Sequence, residues 1–182
     1  MASINKILVA NRGEIALRVL RTCRDVDIET VAVYSTPDAD SPHVLHADDS
    51  VHIGPAAASE SYLVFDKIID AAKQTGADAI HPGYGFLSEN GNFAERCNEE
   101  GIIFIGPKAN SIRLMGDKTA ARELMSKKKV PFPPGTKDAL KDIDEAKKIA
   151  DEIGYPVLVK AAAGGGGKDA YYSGQDRISV GY

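Results

Sequence analysis

Four consecutive glycines, Gly164, Gly165, Gly166 and Gly167, stand between Lys160 and Lys168 near the end of the sequence. Glycine lets backbone N–H groups approach an anion in conformations that other residues avoid, and lysine adds a point-like positive charge. Together they suit a polyphosphate. A flexible linker is the plain alternative, but the run follows directly on Val157–Lys160, which reads as a strand. GxxxxGK[ST] is absent, so this is not a P-loop. The early turn ANRGEIA has one glycine where a dinucleotide fingerprint has three, which argues against nicotinamide cofactors. Ordering four glycines costs on the order of 4–8 kcal/mol, and each charge-assisted hydrogen bond returns about 1.5–3 kcal/mol. The loop is therefore expected to close only over a polyphosphate.

Other residues offer weaker signals. In HPGYGF, Pro82, Gly83 and Gly85 surround Tyr84 in a tight turn at a strand end, the edge where ligands sit in an open α/β sheet. A turn with a packed aromatic pair is the bland reading. His81 closes an apolar strand and reads as a satisfied core histidine. His43, His46 and His52 lie near Asp48 and Asp49, but their spacing matches no metal-ligand pattern, so no metal is assigned. Arg18, Arg21 and Asp25 share one face of a helix at i, i+3 and i+7, by default a solvated face with a weak ion pair. Lys118, taken alone, is a solvated charge opening a helix.

The elements that must position these groups follow from periodicity. Apolar runs alternate with helical patterns, the mark of βαβ units and a mainly parallel sheet. Strands are expected at Lys6–Ala10, Thr30–Ser35, Ala77–His81 and Ile102–Ile105, with a short apolar piece at Val51–Ile53. Helices are expected at Ile15–Arg24 and Asn92–Asn98. Tyr62, Phe65, Ile68, Ile69 and Ala72 mark one face of another, closed by Gly76. This is a doubly wound domain. After it, Asn110–Met115 and Thr119–Lys128 read as short helices meeting at Gly116. VPFPPGT must be extended, and Ile143, Ala146, Ile149, Ala150 and Ile153 mark a last helix face, stopped by Gly154 and Pro156.

Bulk composition sets limits. The chain has 182 residues, 43% of them hydrophobic, with a net charge of −4, room for one domain and part of a second. That charge argues against a nucleic-acid partner. No long apolar run suggests a membrane span, and the strand pattern begins too early for a signal peptide. Cys23 and Cys97 form no CxxC pair, so neither a disulfide framework nor a zinc site is expected, and a reducing cytoplasm is the simplest location.

Three stretches carry a resemblance: ILVANRGEIALRVLR, AIHPGYGFLSEN and FIGPKANSIRLMGDK. Their order and spacing resemble the biotin carboxylase family, over residues 4 to 168. The resemblance implies a Rossmann-like N-terminal domain over 1–115, the start of an ATP-grasp domain over 116–168 and an atypical tail over 169–182. It implies a ligase that uses MgATP and bicarbonate to carboxylate biotin held by a separate carrier domain, with a carboxyltransferase as further partner. Lys118 in MGDK and Lys160 in VLVKA look like the family's ATP-contacting lysines, and Gly164–Gly167 with Lys168 like its lid. Tyr84 and Gly85 look like residues lining the biotin and bicarbonate side. Arg18 and Arg21 then fall at the family's homodimer contact.

The pattern breaks after Lys168, where the family has another glycine and then a Met-Arg pair and this chain has Asp169-Ala-Tyr-Tyr-Ser-Gly. The ending reads as a premature or frame-shifted terminus. No glutamate follows Glu152 and no histidine follows His81; Asp169 and Asp176 are the acids remaining in the tail. Magnesium ligands, a catalytic base and the arginine facing biotin are all expected outside these residues, so no catalytic residue is assigned and the chain alone is expected to be inactive. Another ATP-grasp ligase, or a non-catalytic dimerisation or binding module, are the competing readings. The last helix is expected to leave part of its apolar face uncovered.

Overall fold

The computed structural model describes residues 3–116, 118–131, 136, 140–160 and 170–173, with backbone alone at 118, 119, 158, 160 and 170–173. Two compact units divide the chain, Met1–Gly116 and Asp117–Tyr182.

In the first unit, β1 (Lys6–Val9), β2 (Glu29–Ser35), β3 (Asp49–Gly54), β4 (Ala79–His81) and β5 (Ile103–Phe104) form one parallel sheet. Its strand order is β3-β2-β1-β4-β5. Helices α1 (Gly13–Asp25), α2 (Pro42–His46), α3 (Phe65–Thr75), α4 (Gly91–Glu99) and α5 (Ala109–Gly116) complete it. Side chains alternate across the strands, and both faces are apolar because both are covered. Leu8, Val31, Val33 and Ile80 meet Ile68, Ile69 and Ala72 of α3 and Phe93 and Cys97 of α4 on one face. Ile7, Val9 and Ala79 meet Ala16, Leu20 and Cys23 of α1 on the other. This is the doubly wound α/β architecture that the alternation of patterns predicts.

Local signals end the helices where the sequence suggests. Gly76 takes a left-handed φ of 67° after α3, and its N–H returns to the carbonyls of Ala72 and Lys73. Asn90 caps α4, its side-chain oxygen accepting the N–H groups of Asn92 and Phe93. One helical assignment needs correction. Tyr62 fits the apolar period of α3, yet the helix begins at Phe65 and Tyr62 precedes it, fully buried. Its hydroxyl is engaged by groups at the end of β2, and that contact overrides the periodicity.

The second unit contains α6 (Lys118–Lys127), α7 (Ile143–Ile153), β6 (Val157–Lys160) and β7 (Ala170–Ser173). Asp142 caps α7 through the N–H of Glu145 at 2.8 Å, and the Glu145 carboxylate accepts the Lys141 N–H at 2.8 Å. Ile143 and Ile153 at its two ends are exposed while Ala150 is buried, so part of the apolar face is uncovered. β6 and β7 pair antiparallel with Lys160 opposite Ala170. A strand therefore occupies 170–173, within the tail whose sequence departs from the family pattern. VPFPPGT lies mostly outside the described residues. Among the described residues no helix is long and apolar enough to cross a membrane.

Candidate functional site at the switch point of the sheet

Chain order reverses between β1 and β4, which lie side by side at the centre of the sheet while the later strands add on opposite flanks. Loops leaving the carboxyl ends of two such strands diverge to opposite faces and leave a crevice. Here they are Asn11–Arg12 after β1 and Pro82–Phe86 after β4. The strands remain joined to the brink, the Ala10 N–H donating to the His81 carbonyl at 2.9 Å.

Asn11 ties the two loops together. Its Nδ2 donates to the carbonyls of Pro82 at 2.8 Å and Tyr84 at 2.9 Å, and its Oδ1 accepts the Arg12 N–H at 2.9 Å. The side chain is buried, and a Cβ on Gly83 would come within 2.7 Å of Nδ2, so glycine at 83 is what allows this approach. His81 adds a third tie, its Nδ1 accepting the Gly83 N–H at 3.0 Å. That bond puts the proton of the neutral ring on Nε2, and burial holds the imidazole below its usual range. His81 is half-buried and so not the core histidine expected, although its Nδ1 is satisfied.

Arg12 and the end of β2 brace the other side. The Arg12 guanidinium lies 5.3 Å from the Tyr62 ring centre and 5.5 Å from that of Phe86, two rings stacked 5.2 Å apart. Asp38 Oδ2 accepts from the Ser35 hydroxyl at 2.5 Å, the Tyr62 hydroxyl at 2.7 Å and Arg12 at 3.4 Å. Burial pushes the Asp38 carboxyl up, but the Ser35 and Tyr62 hydrogen bonds and the Arg12 charge outweigh it, leaving it below its usual range. Burial, then donation to Asp38, pushes the Tyr62 phenol up to about 12.

Tyr84 is what this frame leaves uncovered. It is 61% exposed, and its hydroxyl lies 3.4 Å from Glu14 in the first turn of α1. Of the expected packed aromatic pair, Phe86 packs and Tyr84 does not. The edge thus presents the Tyr84 ring beside the backbone groups of the turn.

Other sequence-predicted residues fall elsewhere. Arg18 and Arg21 are exposed on α1 and enter no ion pair among the described residues. Asp48 is committed to the N–H and hydroxyl of Thr30, at 2.9 and 2.6 Å, and His52 faces Thr36 at 3.0 Å. Among the described residues no group of acids, histidines and cysteines could hold a metal ion. Cys23 and Cys97 are free and buried. In the second unit, Lys118 is the first residue of α6 and Lys160 the last of β6. Gly164, Gly165, Gly166, Gly167 and Lys168 lie outside the described residues.

Asn11, Arg12 and Asp38 were not singled out from the sequence, and Tyr62 was read only as part of a helix face. A polar pair directly after an apolar strand was a usable signal for the first two. None existed for Asp38 and Tyr62, which meet across 24 residues.

Comparison with known proteins shows what the chain is similar to. The model of the biotin carboxylase N-terminal domain matches residues 3–112, and that of the carbamoyl-phosphate synthase L chain ATP-binding domain matches 117–176. Biotin carboxylase 1 of Bacillus subtilis is 54% identical over 165 residues, which are 91% of this chain and 37% of that protein. A Campylobacter jejuni biotin carboxylase solved with a β,γ-ATP ligand is 51% identical with a TM-score of 0.86, covering 93% of this chain and 38% of that one. The biotin carboxylase domain dimer of Hydrogenobacter thermophilus 2-oxoglutarate carboxylase, solved with MgADP, ADP and bicarbonate, is 49% identical with a TM-score of 0.84, covering 94% and 38%. The chain thus spans little more than a third of the length of these relatives. With its first unit matched nearly end to end, the chain belongs to the biotin carboxylase N-terminal domain family.

Proposed function

We propose that this chain supplies the N-terminal part of an ATP-dependent biotin carboxylase, a ligase that joins bicarbonate to carrier-bound biotin at the expense of ATP. In this reading Tyr84 and Gly85, at the switch point, line the biotin and bicarbonate side. Lys118, Lys160, Gly164–Gly167 and Lys168 face the nucleotide phosphates. The observation that carries it is the β6–β7 ladder: Lys160 pairs with Ala170, so the glycine–lysine run belongs to the segment joining two paired strands. A glycine-rich connection of that kind suits a cover over phosphates.

Phosphoryl transfer spreads negative charge over the phosphate oxygens, and fixed cations and N–H donors stabilise it. Three lysines and a glycine run supply such groups. Magnesium would add charge between the phosphates, but these residues offer no carboxylate set for it. Arg18 and Arg21 on α1 suit a contact between two copies. A biotin carrier and a carboxyltransferase complete the proposed partners, and the cytoplasm is the proposed location.

A chimera tests this. Residues 1–165 of this chain, joined to the remaining length of the Bacillus subtilis relative, should cleave ATP in a bicarbonate- and biotin-dependent manner. The 182-residue chain alone should not. A folded chimera with biotin-independent cleavage would favour the carbamoyl-phosphate synthase type of ligase, to which the second unit's match points.

A further inference from the structure

Three of the four residues from Gly83 to Phe86 have positive φ: Gly83 at 68°, Gly85 at 65° and Phe86 at 42°. For Phe86 this is a left-handed conformation that side chains disfavour, and such strain persists only where the surroundings impose it. The backbone of this exposed turn is nonetheless fixed at four points. Asn11 Nδ2 holds the carbonyls of Pro82 and Tyr84, His81 Nδ1 holds the Gly83 N–H, and the Gly85 carbonyl accepts the Ser88 N–H at 2.9 Å. Three of these bonds serve the segment Pro82–Tyr84, and two come from one amide at the end of β1. The Tyr84 ring stays exposed.

We propose that Asn11 is a positioning residue: its amide fixes the main chain on both sides of Gly83 and so presents Tyr84 and Gly85 to the ligand. This rests on the reading that these two residues line the biotin side. An amide suits the site, because two carbonyls converge on one atom and its uncharged NH2 offers a donor to each. A carboxylate at the same position would face both oxygens with none.

The 182-residue chain itself provides the test, with Asn11→Asp as the isosteric variant and Asn11→Ala as a second. Amide exchange followed by NMR should rise about tenfold or more at Gly83 and Ser88 in the variants, with the Ala10 amide of the central ladder unchanged. A purely structural role would raise exchange at all three. Uniform acceleration, no acceleration, or failure of both variants to fold overturns the proposal. Free biotin is then titrated against the chain, Tyr84→Ala and the Asn11 variants, reading the Tyr84 and Gly85 amides. Equal weakening in the Tyr84 and Asn11 variants is expected. If Tyr84→Ala leaves the titration unchanged, or the chain shows no shift at these amides, the ligand reading fails while the exchange result still decides the role of Asn11.

Discussion

The phenol of Tyr62 accepts the Ser35 N–H at 3.0 Å and donates to Asp38 at 2.7 Å, and it does both from a fully buried position. Tyr62→Phe keeps the ring, its stacking on Phe86 and the core volume, and removes only the oxygen. The Ser35 N–H then loses its partner and Asp38 loses a donor. The expected loss is about 1–3 kcal/mol of unfolding free energy, read by urea denaturation. A second signature belongs to the same atom. Its folded value of about 12 lies above the unfolded one. The stabilisation is therefore complete below about pH 10 and lost as the pH rises from there. The parent chain should lose stability through that alkaline range more steeply than the Phe variant; parallel curves would show that the hydroxyl is not protected as described. On the other brace, Gly83→Ala sets a Cβ 2.7 Å from Asn11 Nδ2 at a φ of 68°. Strain and collision together are expected to cost about 1–3 kcal/mol.

Helices α1 and α4 press on opposite faces of the sheet, and each carries one cysteine into the core: Cys23 beside Val9 and Ala79, Cys97 beside Ile80 and Phe93. Burial raises both thiols, that of Cys97 to about 12, so neither offers a thiolate at neutral pH. An aromatic disulfide reagent should therefore label neither in the native chain and both after denaturation. Rapid native labelling of Cys97 alone would mean that α4 opens independently of the sheet. The spans of the same two helices were legible in the sequence, and the structure adds which face each one buries. Ala16, Leu20 and Cys23 keep the apolar period of α1, and Phe93 and Cys97 that of α4, because one face of each meets one uniform apolar surface. Periodicity misled at Tyr62, where a single polar contact with β2 decided the placement. The switch-point frame was only half visible: HPGYGF carries its glycines on the surface of the sequence, while Asn11 owes its role to carbonyls 71 and 73 residues away and Arg12 owes its own to Asp38, 26 residues on, and to the Tyr62 and Phe86 rings.

Across the first unit, His43 and His81 share one electrostatic character. Each is held below its usual range, by burial before anything else, although a carbonyl of Val33 near His43 partly offsets it. The unfolded chain takes up protons at these positions near about pH 6.5, and the folded one resists. Their contribution to stability is present above that value and lost as the pH falls through the depressed folded values. The lowered carboxyls of Asp38, Asp48 and Asp78 act in the same direction but only at more acidic pH. The urea midpoint should thus already fall between about pH 7 and 5.5, before any carboxylate matters. A flat profile there would mean that both imidazoles are solvated.

The described residues of the two units differ in what they bury, and this difference governs how the chain should fail. Both apolar clusters of the first unit are closed by residues between Ile4 and Ile105. In the second unit Ala150 is the one fully buried apolar side chain among the described residues, and α7 leaves Ile143 and Ile153 exposed at 49% and 38%. Apolar burial stabilises by roughly 25 cal/mol per Å², so the opening free energy of the second unit should lie far below that of the first. When opening and closing are fast, cleavage follows the population of open forms. Limited proteolysis of the 182-residue chain should therefore remove residues beyond Gly116 first and leave a resistant fragment matching the first unit. That fragment should keep the thiol protection of Cys23 and Cys97 and the acid sensitivity of the parent. Equal cleavage rates in both units would show that the second is stabilised by contacts comparable to the sheet core, and the proposed separation between a self-sufficient first unit and a dependent second one would then fail.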